Sequence, residues 1–252
     1  MNRPTDKRDF LRGGSVTHTL PAPCVMVALL LSTLPCWLPQ HAAADLKSAK
    51  AAYGRGDHAS AFHEFTRLAE KGNAEAQRLL ADMYEGGAGL PRDYGEAFKW
   101  YYRAARKGDA RAQFMVAQMY YEGKGGPKDE RAAFHWYRQA AENGHLYAQH
   151  NLGVFYELGR GVAQDKKEAL AWYLRAAGQS LVEAQHKAGL LYWKGEGVER
   201  DLSKAYYWLN LAASKGSGEA KTDLGSLTAA MSPAELLQLT EQAQERSCRT
   251  KR

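Results

Sequence analysis

Cysteine is scarce in this chain, with three residues in 252, at positions 24, 36 and 248. Three cysteines cannot build a disulfide framework, and with no CxxC and no His/Cys cluster there is no signature of a structural zinc site. A one-signed charge is also missing from the body of the chain. The net charge of +6 arises at the two ends, and residues 45–245 hold 26 Lys/Arg against 26 Asp/Glu. A nucleic-acid binder normally carries a basic stripe on its folded part, so that class of partner is excluded. No serine has a lysine three residues later, and neither GxSxG nor HExxH occurs, so the commonest hydrolase signatures are absent. Long apolar runs are missing too. The most apolar stretch, Cys24 to Leu38, covers 15 residues and contains Pro35, short of the roughly 20 a bilayer-spanning helix needs. No stable membrane span is expected, and 45% apolar with 25% charged residues are ordinary globular values.

The first 44 residues read as an export signal peptide. Arg3, Lys7, Arg8 and Arg12 precede the apolar stretch, and Ala42, Ala43 and Ala44 supply small residues for cleavage before Asp45. Lys7-Arg8-Asp9-Phe10-Leu11-Arg12 resembles the twin-arginine export motif with Lys in place of the first Arg, so both twin-arginine export and general secretion stay open. Pro35 before Cys36 argues against lipidation, which needs a small residue there. The expected location is periplasmic or secreted, after cleavage near Ala44.

What the chain does have is a period of 36 residues. Blocks beginning at Ala74, Ala110, Leu146 and Val182 align without a gap. An Ala-Gln pair recurs at 76/77, 112/113, 148/149 and 184/185, and Tyr84, Tyr120, Tyr156 and Tyr192 follow at a fixed distance. Glycines come next at 87/89, 123/125, 159/161 and 195/197. Then come Asp93, Asp129, Asp165 and Asp201, and Trp100, Trp136, Trp172 and Trp208. Each block closes on an Ala-Ala pair, such as Ala104-Ala105. These elements, in AEAQRLLADMYEGGAG and its three later copies, resemble the Sel1-like repeat family, a cousin of the tetratricopeptide repeats. The resemblance covers 74–225 closely and 45–73 loosely. It implies an all-α, right-handed superhelical solenoid of helix-turn-helix repeats, and adaptor or signalling roles.

The residues support the same architecture independently. Within the first helix of a repeat, Ala76, Leu80, Ala81 and Tyr84 share a face at 100° per residue. Ala81, or Gly153 and Gly189 at the same position, allows close helix approach. The glycine pair breaks the helix. Asp93 and its equivalents are candidate N-caps, and Asp93 with Glu96, or Asp165 with Glu168, has capping-box spacing. In the second helix Ala97, Trp100, Tyr101, Ala104 and Ala105 share a face. Neither helix can bury its stripe alone, so stacking of successive pairs makes the core. The expected organisation is a tetratricopeptide-like cap at 45–73, repeats at 74–109, 110–145, 146–181 and 182–217, capping helices at 218–246 and a basic tail at 247–252. Ser232-Pro233-Ala234-Glu235 opens the last helix, which should end near Arg246. Twelve helices result.

The functional residues are sought on the other face of the first helices, where positions 2, 5, 9 and 12 vary between copies. The first copy is charged there, with Glu75, Arg78, Asp82 and Glu85. Later copies turn aromatic and apolar: Phe114 and Tyr121, then Tyr147, His150 and Val154, then His186, Leu190 and Trp193. In solenoids this face typically lines a groove, so these eight residues are the candidate partner-binding site; packing against adjacent first helices is the competing role. His150 and His186 are equivalent in adjacent repeats, but no third ligand accompanies them, and no metal or cofactor is implied. Cys248 reads as a free thiol and the tail as a solvated end. The sequence points to a non-enzymatic exported adaptor or regulatory scaffold whose partner is an envelope protein or peptide. An envelope enzyme or cell-wall-modifying factor, and a structural subunit of a secretion or export assembly, are the alternatives.

Overall fold

Ala-rich segments of 12 or 13 residues, most of them opened by a capping side chain and followed by glycine, become separate helices because no segment has enough apolar surface to continue alone. A computed structural model describes the backbone of residues 38–229 and 231–250 and the side chains of 45–229 and 231–242. Among the described residues there are twelve helices and no strand. They are α1 (Leu38–Gly54), α2 (His58–Glu70), α3 (Ala74–Gly86), α4 (Tyr94–Ala105), α5 (Ala110–Glu122), α6 (Glu130–Glu142), α7 (Leu146–Leu158), α8 (Lys166–Gly178), α9 (Val182–Lys194), α10 (Leu202–Ser214), α11 (Gly218–Ala229) and α12 (Pro233–Thr250). The described residues from 42 onward form one compact unit. Each repeat is a packed pair, α3 with α4 through α9 with α10, and each second helix also packs on the first helix of the next pair. This is an all-α helical repeat solenoid.

The recurring residues have separable jobs. Tyr101, Tyr137, Ala104, Ala140, Ala176 and their equivalents are buried, as are Trp100, Trp136 and Trp172. The glutamine of each Ala-Gln pair donates its amide to the last turn of the preceding helix: Gln77 to the Ala69 carbonyl (2.9 Å), Gln113 to Ala105 (3.1 Å), Gln149 to Ala141 (3.2 Å) and Gln185 to Ala177 (3.1 Å). Helix ends leave carbonyls without intrahelical partners, and this side chain satisfies one of them at every junction. A second row went unnoticed in the sequence. Met83, Met119, Phe155 and Leu191 are buried, one residue before the tyrosine row that includes the half-buried Tyr84, Tyr120 and Tyr156.

The glycine pairs divide the work. Gly159 ends α7 in the left-handed conformation (φ 70°) and bonds back to Phe155. Gly161 (φ 64°) lies against the Glu130 carbonyl at the start of α6, where a Cβ would collide with backbone. Gly125 and Gly197 repeat that contact at Tyr94 and Lys166. The small residue at the first-helix crossing is equally constrained, since a Cβ on Gly153 would stand 2.7 Å from the Tyr173 ring.

Two expectations need correction. Asp93 caps α4, accepting from the Gly95 amide (2.8 Å) and the Glu96 amide (3.0 Å), but the reciprocal half of the capping box is not made. The Asp93 amide instead donates to the Tyr84 carbonyl (3.0 Å), and Glu96 pairs with Lys99 (2.9 Å). Asp165 does the same with Tyr156. The complete box is at Ser232 and Glu235, where the Glu235 carboxylate accepts from the Ser232 amide (2.8 Å). Next, α12 continues to Thr250 rather than ending near Arg246, because no Gly or Pro interrupts it, and so it takes in part of the expected tail. It packs against α10. Helix α1 begins at Leu38, and the expected cleavage point after Ala44 lies within its range. The rest of the export segment, residues 1–37, with Cys24 and Cys36, lies outside the described residues. No described helix is long and apolar enough to cross a membrane.

Candidate binding face on the first helices

The first helices present their variable positions side by side, and side-chain contacts run from each to the next. At α3 the wall is ionic. Arg78, its side chain only 12% exposed, reaches Asp82 (3.2 Å), Asp109 (3.3 Å) and Glu75 (3.6 Å). Lys50 on α1 pairs with Glu75. Behind them the buried Tyr101 hydroxyl contacts Asp82 (2.5 Å) and Glu85 (2.8 Å). Burial and then the Asp82 charge push the Tyr101 hydroxyl far above the usual phenol range, so it stays a donor to these carboxylates. An open hollow of about 640 Å³ lies here, lined by Lys50, Tyr53, Glu75, Asp82, Arg111 and Met115 among others.

At α5 and α7 the wall becomes aromatic. Phe114 stacks on His145 (centroids 4.5 Å apart, planes at 21°) and touches Tyr147 (6.4 Å) and Tyr137 (5.8 Å). Tyr147 is 56% exposed. Tyr121 packs on Phe155 (5.5 Å), and its hydroxyl accepts from Arg160. His145 was missed as a member of this group. It caps α7, its Nδ1 accepting from the Ala148 amide (3.2 Å). The signal was available in the sequence, because Asn73 and Asp109 precede it at the same repeat position and cap α3 and α5.

From α7 to α11 the candidates separate. The His150 ring lies 5.5 Å from Tyr173, and burial holds its pKa below the usual imidazole range. Tyr173 donates to Glu157 (2.5 Å), which Lys187 of α9 also reaches (3.2 Å). His186 is buried, with its Nε2 2.6 Å from Asp223 and its Nδ1 3.6 Å from Glu219 on α11. Val154, Leu190 and Trp193 are half-buried, and Val154 and Trp193 pack against the apolar core of the last repeats. A second open hollow, about 700 Å³, is lined by His150, Glu183, His186, Lys187 and Lys215 among others. The structure thus brings Phe114 and Tyr147 together and engages Tyr121 and His186 with neighbouring residues. Among the described residues no group of three or more His, Cys, Asp or Glu could hold a metal ion.

The Sel1 repeat family matches residues 74–109, 110–145, 146–181 and 182–217, more than half of the chain, and the protein belongs to that family. Among solved structures, it is similar to a Sel1 repeat protein from Oxalobacter formigenes, with 30% identity and a TM-score of 0.66, over 81% of this chain and 88% of that one. It is also similar to c5321, a protective antigen present in uropathogenic Escherichia coli strains displaying an SLR fold, with 27% identity and a TM-score of 0.72 over 83% of this chain. The match spans about half, 47%, of the antigen's own chain. A comparison with curated proteins finds no match. Sel1 repeat scaffolds generally mediate protein–protein interaction.

Proposed function

We propose that this protein is an exported, non-enzymatic adaptor that holds a peptide or protein of the cell envelope across the first-helix wall. The observation that carries this reading is the contrast within each repeat: most seam residues recur and are buried, while the wall changes from ionic at α3 to aromatic at α5 and α7, with Tyr147 left 56% exposed beside Phe114. Aromatic side chains with one exposed face are the usual anchors of protein interfaces. Export is supported by the order of positive, apolar and Ala-rich segments within residues 1–44, and periplasmic residence follows in a Gram-negative cell.

Binding is tested by isolating a partner from envelope extract with the mature chain, then titrating it against Phe114→Ala, Tyr147→Ala and Trp193→Ala proteins of unchanged helical spectrum. Tyr147→Ala should weaken binding by about 2 kcal/mol or more. Undiminished affinity in all three moves the site off this wall. Amino-terminal sequencing of the exported protein tests the localisation, with a start at or near Asp45 expected and an intact chain confined to the cytosol refuting it.

A further inference from the structure

The capping residues of the first helices are Asn73, Asp109, His145 and Leu181 in successive repeats. Of these, only His145 is of a residue type whose unperturbed charge change falls between about pH 5 and 8. Its cap uses Nδ1 as an acceptor from the Ala148 amide at 3.2 Å. An imidazole accepts at Nδ1 only in the neutral form that carries its hydrogen on Nε2; the imidazolium is a donor at both nitrogens. The same ring is stacked on Phe114 at 4.5 Å and lies 6.3 Å from Tyr147. One side chain therefore closes the first turn of α7 and also completes the aromatic part of the wall.

We infer that His145 is a pH-sensitive latch, whose protonation releases the α7 cap and loosens the Phe114–His145–Tyr147 stack. The charged groups around the ring favour this direction. From α5, Arg111 opposes a positive ring and Asp109 favours one, but Asp109 already accepts from the Ala112 amide (2.8 Å) and pairs with Arg78 (3.3 Å). From α6, Glu142 is directed to Arg138 (3.7 Å). From α7 itself the nearest titratable ring is Tyr147. Burial first, then Arg111, holds the His145 pKa below the usual imidazole range. The folded state therefore prefers the neutral ring. The stability of the cap is complete above the ordinary histidine pKa, begins to fall as the pH drops below that value, and is lost once the pH has passed the lower folded-state pKa.

The test is amide hydrogen exchange of the full mature chain at pH 7.5 and pH 5.0, corrected for intrinsic rates, in wild type and in His145→Asn. Asparagine is the natural cap of α3, so the variant should fold and keep the turn at both pH values. In wild type the protection factor of the Ala148 amide should fall about fivefold at the lower pH, as expected for losing one N-cap. In His145→Asn it should not change. Because His150 and the other histidines are common to both proteins, the comparison isolates His145. An equal loss in both proteins, or none in wild type, overturns the latch. His145→Asp, which copies the α5 cap, provides the same readout should the asparagine variant fold poorly. If Tyr147 anchors a partner as proposed above, acid should also release that partner. The exchange measurement needs no partner, so the latch and the binding reading can fail separately.

Discussion

The repeats beginning at Ala74 and Val182 share one arrangement of helices and have opposite inner walls. In the first, the second helix sends Tyr101 through to Asp82 and Glu85. In the last, Leu209 takes the tyrosine's place, Leu190 and Trp193 replace the two carboxylates, and Trp193 packs against the apolar core there. The third repeat follows the first, with Tyr173 donating to Glu157. Variation on the first helix is thus paired with variation 16 residues later on the second in these three repeats; in the second repeat the buried Tyr137 follows Tyr121 at that spacing and pairs with Asn151 instead. A phenol oxygen buried at the helix crossing needs a hydrogen-bond partner, which a carboxylate above it supplies in the first and third repeats; leucine has no such need, and an aromatic ring can cover it. Part of what reads in the sequence as a freely variable binding face is therefore set by the packing underneath.

That comparison can be broken at several levels. The largest effect is expected at the shared seam, where both walls depend on the same residues. Trp172→Ala should cost about 3–5 kcal/mol in urea melts, because the ring is buried at 7% exposure and its loss leaves a cavity. Trp193→Ala should cost clearly less, since its ring is only half-buried. Equal losses would mean that the apolar wall of the last repeat is core rather than surface. Next comes the tyrosine itself. Tyr173→Phe removes the donor to Glu157 and should cost about 1.5–3 kcal/mol, the range for a hydrogen bond to a charged group. The partner change in the last repeat is Leu209→Tyr, opposite Gly189 as Tyr173 stands opposite Gly153 in the third repeat. It buries a hydroxyl without an acceptor. Combined with Trp193→Glu, the cycle should recover about 0.5–3 kcal/mol of coupling. Strict additivity of the two changes would show that the pairing across 16 residues has no energetic content.

These contrasts also show what was legible in the sequence. The helical fold could be read because the 36-residue period repeats each seam residue in phase: Ala76, Tyr101 and Trp136 are all buried. The Asp93 cap could be read from its place before an apolar-periodic segment. The false half of its capping box could not, because the competing acceptor, the Tyr84 carbonyl, lies across a loop whose path spacing does not specify. On the wall, the change from charged to aromatic side chains was visible. What those side chains touch was not: the contact of His186 with Asp223 spans 37 residues and depends on α11 lying beside α9. His145 escaped notice because aspartate and asparagine are the familiar caps and a histidine in that position reads as a loop residue.

The smallest effect concerns a departure from the repeat with no bearing on the wall, and it separates backbone strain from packing. Four second helices lead into a residue with positive φ: Gly108 (89°), Gly144 (82°), Ser180 (74°) and Gly216 (97°). Serine in that conformation places its Cβ against its own backbone, at a cost of about 1–2 kcal/mol. Glycine avoids this cost but loses about 0.5–1 kcal/mol more conformational entropy on folding. The difference predicts that Ser180→Gly raises stability by about 0.5–1 kcal/mol. Nothing stands within 4 Å of a Cβ built on Gly144, so the reverse change, Gly144→Ser, tests the backbone cost without a steric clash and should destabilise by a similar amount. Urea midpoints with unchanged slopes are the measurement, since a changed slope would indicate an altered denatured state. A neutral Ser180→Gly together with a harmless Gly144→Ser would show that these turns adapt their backbone to the residue present. The glycine recurring at 108, 144 and 216 would then need an explanation other than its freedom at positive φ.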